Sequence, residues 1–194
     1  QAIKLKEGDE LFKVEEEIPD SDFFFASKNG YCLNCSDAIP QQLRVSGGVK
    51  SMDLEDGDSL ITATQIKKDA DYEVVVATTF GTFKKVDLGT IGKLARARKG
   101  VRLVDVGSDG KESALLATPV EEGEKIASVI SCREFPADEF LMFATKSGMV
   151  KKTVMSAYDR SRRDGLIAIN LRDDDALLAV RRVREGDKII MATT

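Results

Sequence analysis

A repeat of about fifty residues constrains this chain more than any other feature, because a period of that length means stacked supersecondary units. Three glycines set its register: Gly30, Gly81 and Gly148. Each follows an apolar run, Phe23 to Ala26, Val74 to Ala77 and Phe140 to Ala144, and each opens a second extended run. The pattern predicts a buried strand, a tight turn in which glycine supplies the positive φ, and a returning strand. A second glycine follows 18, 19 and 17 residues later, at Gly48, Gly100 and Gly165, and precedes the runs Val49 to Leu54, Val101 to Val106 and Leu166 to Leu171. A polar turn and a further apolar strand complete the unit, as in Gly57-Asp58-Ser59-Leu60-Ile61 and Asp174-Asp175-Ala176-Leu177-Leu178. In the middle unit the equivalent is Gly123-Glu124-Lys125-Ile126, displaced by an insertion around Gly107 to Pro119.

The 194 residues therefore read as one array, 1–194, of three whole units at about 21–68, 72–130 and 138–183, with partial units at 1–20 and 187–194. Four short strands per unit predict an all-β, propeller-like array of blades. A single β-sandwich would give turn signals but no recurring self-similarity. The best helix candidate, Ser156 to Arg163, is a polar loop without amphipathic period.

Charge is segregated on this frame, although the net value is only −4. Lys84 to Arg102 holds seven cations against Asp87, and Lys146 to Arg163 holds six against Asp159. The acids gather elsewhere, with eight from Glu7 to Asp22 against Lys13 alone. Lys84 and Lys85 stand three and four residues after their turn glycine, as do Lys151 and Lys152, whereas the first unit has Leu33 and Asn34 there. Before the second glycine stand Arg96, Arg98 and Lys99 in one unit, and Arg160, Arg162 and Arg163 in the next. Together with Arg102 and Lys146 these are the candidate phosphate contacts. Cations in register on a rigid curved scaffold suit a phosphate backbone, and the scarcity of aromatics among them favours duplex over stacked single strands. The rival reading is a protein-interaction scaffold that uses the same patches for acidic partners.

Other chemistry finds little support. The absence of histidine removes Ser-His-Asp and Cys-His catalysis and His-containing zinc sites. Cys32-Leu33-Asn34-Cys35 has only Cys132 as a further thiol, too few ligands for zinc, and strand positions three apart face opposite sides. Asp53 to Asp58 and Asp173 to Asp175 occupy recurring turns, so turn chemistry explains them. Lys67 and Lys68 read as solvated, Tyr158 as a packing or phosphate-contacting residue rather than a nucleophile. The acids of the opening segment, Glu15 to Glu17 with Asp20 and Asp22, could compete with nucleic acid for the basic residues. Three cysteines and the lack of a signal-peptide core or membrane-length apolar run set cytoplasm as the expectation.

The stretch Phe143-Ala144-Thr145-Lys146-Ser147-Gly148-Met149-Val150-Lys151-Lys152-Thr153, followed by Tyr158, Arg160 and Gly165 to Leu171, resembles the C-terminal domain of the A subunit of bacterial type IIA topoisomerases, DNA gyrase and topoisomerase IV. The resemblance extends through Gly30-Tyr31, Gly48-Val49-Lys50 and Ala97-Arg98-Lys99-Gly100-Val101. It implies a β-pinwheel of four-stranded blades that exchange strands with their neighbours. Duplex DNA would be bent or wrapped around a basic rim to control DNA topology. It also implies that the domain is not itself catalytic and carries no cofactor or metal. The breakage tyrosine would lie in an N-terminal breakage-reunion region, and ATP and Mg²⁺ would serve the holoenzyme through the B subunit. The chain departs from the gyrase pattern in lacking a Gln-Arg-Arg-Gly-Gly-Lys-Gly run; its nearest stretch, Arg160 to Gly165, has Asp164 where that run has glycine. That departure leaves two readings open, a topoisomerase IV-like domain, slightly favoured, and a gyrase domain whose box lies on another blade.

Overall fold

In the computed structural model the residues described are 3–68, 72–103, 123–132, 134–159 and 166–190. They form twelve strands: β1 (Ser21–Ser27), β2 (Tyr31–Cys35), β3 (Leu60–Lys67), β4 (Glu73–Thr78), β5 (Thr82–Asp87), β6 (Lys93–Leu94), β7 (Val101–Arg102), β8 (Ile126–Cys132), β9 (Glu139–Thr145), β10 (Val150–Val154), β11 (Leu166–Ile167) and β12 (Leu177–Arg184). The insertion at 107–119 and the basic run at 160–165 lie outside the described residues. In the described part of the helix candidate a 3₁₀ turn stands at Met155–Tyr158, matching a second at Leu88–Thr90; residues 160–163 of it lie outside the described residues.

Three sheets result. The first has the order β3-β1-β2-β6, with β7 also on β2; the second runs β8-β4-β5-β11; the third runs β12-β9-β10. Three strands of each blade come from its own repeat unit. The outer strands of the first two blades come from the unit that follows, since Val101 and Arg102 pair with Cys32 and Tyr31, and Leu166 and Ile167 pair with Phe83 and Thr82. The runs after the second glycine therefore do not extend their own blades, as a four-strand unit would suggest, but cross to the preceding one. Val49 to Leu54 forms no strand.

The predicted hairpin turn is present in all three units. Gly30, Gly81 and Gly148 have φ of 93°, 86° and 85°, and each donates its NH back to the carbonyl of Ser27, Thr78 or Thr145. The hydroxyls of those same three residues accept the NH groups of Tyr31, Thr82 and Met149. The turn aspartates complete the corner: Asp58 accepts from the Asn29 and Ser59 NH groups, and Asp175 from those of Ser147 and Ala176. In the middle unit Glu124 takes this place and accepts from the Thr78 hydroxyl.

Two of the three cores lie between blades, and the third, around Phe25, Leu33 and Met52, is built from the first unit alone. Along β4, Val74 and Val76 join Phe24, Ala26 and Cys32 of the first blade, whereas Val75 and Ala77 join Leu141, Phe143 and Val180 of the third. A strand buried on both faces must be apolar at every position, which is why this run lacks alternation. The inner strands β3, β8 and β12 lie side by side, and two equivalent hydroxyls bridge them, Thr62 donating to the Val129 carbonyl at 3.4 Å and Ser128 to that of Val180 at 3.3 Å. Cys32 faces the first inter-blade core and Cys35 the opposite side of its blade; both are free thiols, and burial pushes Cys32 up to about 12.

The glycines differ in what surrounds them, and substitution should expose the difference. A Cβ on Gly100 would overlap the Cys32 carbonyl oxygen, whereas one on Gly148 would meet nothing within 4 Å. Gly148→Ala should cost about 1 kcal/mol for its left-handed backbone alone. Gly100→Ala should cost at least about 3 kcal/mol, because β7 must also leave β2. Urea unfolding of both variants is the check.

A second test uses pH. The Ser147 hydroxyl first, with Thr145 and the Ser147 and Ala176 NH groups, holds the Asp175 carboxyl well below the usual carboxylate range. A depressed folded pKa contributes stability that is complete above the unfolded value of about 3.9 and is lost as pH falls through the folded one. The urea midpoint of the parent should therefore exceed that of Asp175→Asn above about pH 5, and the gap should close towards about pH 2.

Candidate nucleic-acid interface

The paired lysines occupy identical positions on the second strand of their blades. Lys84 and Lys85 of β5 pair with Val76 and Val75, and Lys151 and Lys152 of β10 with Phe143 and Met142. Because strand residues alternate, one lysine of each pair faces either side of the blade. Lys85 and Lys152 each lie over an aromatic ring while meeting a carboxylate. Lys85 sits 4.7 Å from the Phe135 ring centre and pairs with Glu73 at 3.0 Å and Asp159 at 3.4 Å. Lys152 lies 4.0 Å from the Phe140 ring and pairs with Glu185 at 3.2 Å. Burial pulls the Lys85 ammonium down, but Glu73 and Asp159 outweigh it and hold the group above its ordinary value. On the other face, Lys151 donates to the Ala168 carbonyl at 2.7 Å.

Strand exchange redistributes the remaining cations. Arg96, Arg98, Lys99 and Arg102 belong in sequence to the second unit, but β6 and β7 carry them to the outer edge of the first blade. The blade that has Leu33 and Asn34 in place of paired lysines thus receives its basic groups from its neighbour. The linking loop is held to the first unit at several points. Asp37 accepts the Arg96 NH at 2.8 Å, Ser51 accepts the Ala97 NH at 2.9 Å, and Arg98 accepts from the Asp53 NH at 3.0 Å. The Arg96 guanidinium donates to the Lys50 carbonyl, and Lys99 pairs with Glu55 above the Tyr31 ring. Glu55, then Tyr31, raises the Lys99 ammonium above its usual range. Arg102 stands 5.3 Å from the same ring. Arg98 and Lys146 are exposed. Arg160, Arg162 and Arg163 lie outside the described residues; β11, which follows them, lies on the second blade.

Of the acidic opening segment, Glu15 to Glu17 lie along β3, whereas Asp22 meets Lys93 of the basic run. Lys13 donates to the Ala63 carbonyl, the Ile18 NH reaches the Gln65 side chain, and Gln65 donates to the Glu16 carbonyl, so residues 13–18 follow β3. That strand forms the edge of the first sheet opposite β6. Tyr158 is buried, with its ring 4.6 Å from Phe83 and 5.8 Å from Phe143, which makes it a packing residue. Lys67 and Lys68 are exposed at the end of β3. Missed in the sequence were the pairing of Lys93, one of the cations of the Lys84 to Arg102 run, with buried Asp22 at 2.6 Å, and Glu139, held low first by Arg182 and then by Arg184. Among the described residues no cluster of metal-ligating side chains occurs, and no helix is long and apolar enough to cross a membrane.

The family described as DNA gyrase C-terminal domain, beta-propeller, matches residues 21–67, 72–133 and 139–184, one segment per blade. The chain belongs to that family. Its sequence is 32% identical to the DNA gyrase A subunit of Lawsonia intracellularis over 186 residues, which cover 93% of this chain and 21% of that protein. It is 31% identical to the DNA gyrase A subunit of Clostridium acetobutylicum, over 98% of this chain and 23% of that one. The chain thus spans about a fifth of the length of these relatives. In fold it is similar to a C-terminal domain of DNA topoisomerase IV, with a TM-score of 0.76 at 21% identity over 96% of this chain and 54% of the other. A DNA gyrase A C-terminal domain gives a TM-score of 0.70 at 21% identity, over 92% of this chain and 56% of that one. The fold is the β-pinwheel.

The ion pairs separate two kinds of cation within this pinwheel. Replacing Lys85 by Met leaves Glu73 and Asp159 without their shared partner and should lower stability by about 1 kcal/mol. Arg98→Ala should leave stability within about 0.5 kcal/mol of the parent. Thermal and urea unfolding at low ionic strength would read both.

Proposed function

We propose that the chain is a non-catalytic domain that binds and bends duplex DNA, part of the A subunit of a bacterial type IIA topoisomerase acting in the cytoplasm. The observation that carries this reading is the recurrence of basic groups on the second hairpin strand of two blades and on the segment exchanged onto the first. Lys84 and Lys85 sit on β5, Lys151 and Lys152 on β10, and the exchanged segment brings Arg96, Arg98, Lys99 and Arg102 to the first blade. Family membership supports the same assignment. On this reading strand passage belongs to an N-terminal breakage-reunion region of the same polypeptide and to the B subunit, with ATP and Mg²⁺. The domain itself supplies a curved surface that holds the duplex.

The physics of such a surface is counterion release. Each phosphate neutralised frees condensed cations, and the gain offsets the elastic cost of bending the duplex. Contacts to the backbone position DNA without reading its bases, so major-groove sequence should matter little. If about six cations engage together, the log–log dependence of affinity on salt should have a slope of roughly −5. Removing Lys84 or Lys151 should weaken binding to all sequences alike and lower the slope by about one. Titration of a labelled duplex at several salt concentrations measures both. Displacement by an acidic polypeptide with no duplex binding at low salt would overturn the assignment.

A further inference from the structure

Arg98 differs from the other basic residues of its loop. Arg96 donates to the Lys50 carbonyl and Lys99 is paired with Glu55, so both neighbours are turned back onto the protein. The acids around the loop are also occupied: Asp53 pairs with Lys50, and Asp37 accepts the Arg96 NH. Arg98 is exposed, and its guanidinium makes no hydrogen bond or ion pair among the described residues. Of Arg96, Arg98 and Lys99, Arg98 is thus the one whose charged end has no protein partner among the described residues.

The backbone beneath that side chain is rigidly placed. Ala97 has a φ of 60° and Gly100 one of 86°, and Arg98 itself accepts the Asp53 NH while Ala97 donates to Ser51. β6 and β7 fasten both ends of the loop to β2. A side chain held this way loses little backbone freedom when it is inserted into a ligand.

A second, independent observation is which cation stands where. On the strands both units use lysine, at Lys84, Lys85, Lys151 and Lys152. Two residues before the second glycine both use arginine, Arg98 in one unit and Arg163 in the next. A guanidinium sheds water more readily than an ammonium, and the narrow minor groove of A·T-rich DNA selects arginine for its concentrated negative potential. A duplex curved around a protein turns its minor groove inward once per helical turn, where isolated arginines enter it.

We propose that Arg98 enters the minor groove of bound duplex and gives the domain a preference for narrow grooves without an exocyclic amino group. The proposal rests on the duplex-binding function argued above. It adds shape selectivity at a single side chain to the charge-driven binding of the rest of the rim.

The test compares three duplexes of equal length: one G·C-rich, the same sequence with inosine replacing guanine, and one with phased A-tracts. Inosine removes the 2-amino group from the minor groove and leaves the major-groove acceptors in place. The parent chain should bind the inosine and A-tract duplexes about 3- to 10-fold more tightly than the G·C duplex. Arg98→Lys keeps the charge and loses the planar guanidinium, so the ratio of its affinities for the inosine and A-tract duplexes over the G·C duplex should fall towards one. Equal affinity of the parent for all three duplexes, or an undiminished preference in Arg98→Lys, would overturn the assignment of Arg98 alone. Failure to bind any of the three at low salt would instead overturn the duplex-binding function.

Discussion

Two carbonyl groups in each of the first two hairpin turns tie one repeat to the next, and the architecture depends on them. In the first turn the Lys28 carbonyl accepts the Ile126 NH at 3.1 Å, and the Gly30 carbonyl accepts the Leu103 NH at 2.7 Å. In the second, the Thr79 carbonyl accepts from Leu177 at 2.8 Å and the Gly81 carbonyl from Ala168 at 2.9 Å. Both donors in each case belong to the following unit, one where its inner strand begins and one where its exchanged strand ends. A turn can offer two carbonyls outward only if its own NH groups are satisfied internally, and the Ser27 and Thr78 hydroxyls with Asp58 help to do that. The positive φ of the turn glycine is therefore required by the contact with the neighbouring unit as well as by the reversal of the chain.

Once the turns are joined, the packing follows. Exchanged strands cover β2 so completely that all five of its residues are buried, although it lies towards the outside of its sheet. The same joints bring β4 between two other blades, so that its alternate side chains serve different cores. Two of the three apolar clusters are shared between blades, so most of the burial depends on neighbours, and only the cluster of Phe25, Tyr31, Leu33, Cys35 and Met52 is built within one unit. Single units of about fifty residues would leave most of this apolar surface in water, which is the general reason that repeat architectures need several units to be stable.

Much of this was legible in the residues. The glycine period, the apolar runs and the aspartates of the polar turns mark the hairpins at their observed places, because each has a local physical cause. The opposite facing of Cys32 and Cys35 follows from strand alternation alone. Strand exchange was not legible from the repeat itself, since Val101 to Leu103 has the same spacing whichever blade receives it. It came from the family resemblance, and the structure shows the mechanism in the close approach of Gly100 to the Cys32 carbonyl. The partners of the cations were also hidden. Lys85 meets Asp159 across 74 positions and Lys99 meets Glu55 across 44, and no local pattern marks such pairs. The serine and threonine hydroxyls at the turns were visible at a constant offset, three residues before each glycine, and could have been read as a turn signature.

Exchange also changes what a basic run in the sequence means. A run such as Lys84 to Arg102 reads as one patch, but folding divides it, leaving Lys84 and Lys85 on the second blade and moving Arg96 to Arg102 to the first. Charges adjacent in sequence become separated in space, and a unit poor in cations is supplied by its neighbour. Continuity of the rim is then a property of the joined array and not of any one repeat. The contacts that secure the exchanged loop are made by the carboxylates of Asp37 and Glu55 and by the backbone groups of Ser51 and Asp53. The carboxylates of Asp53 and Glu55 meet Lys50 and Lys99 and that of Asp37 accepts the Arg96 NH, so the nearby acids position the exchanged basic loop.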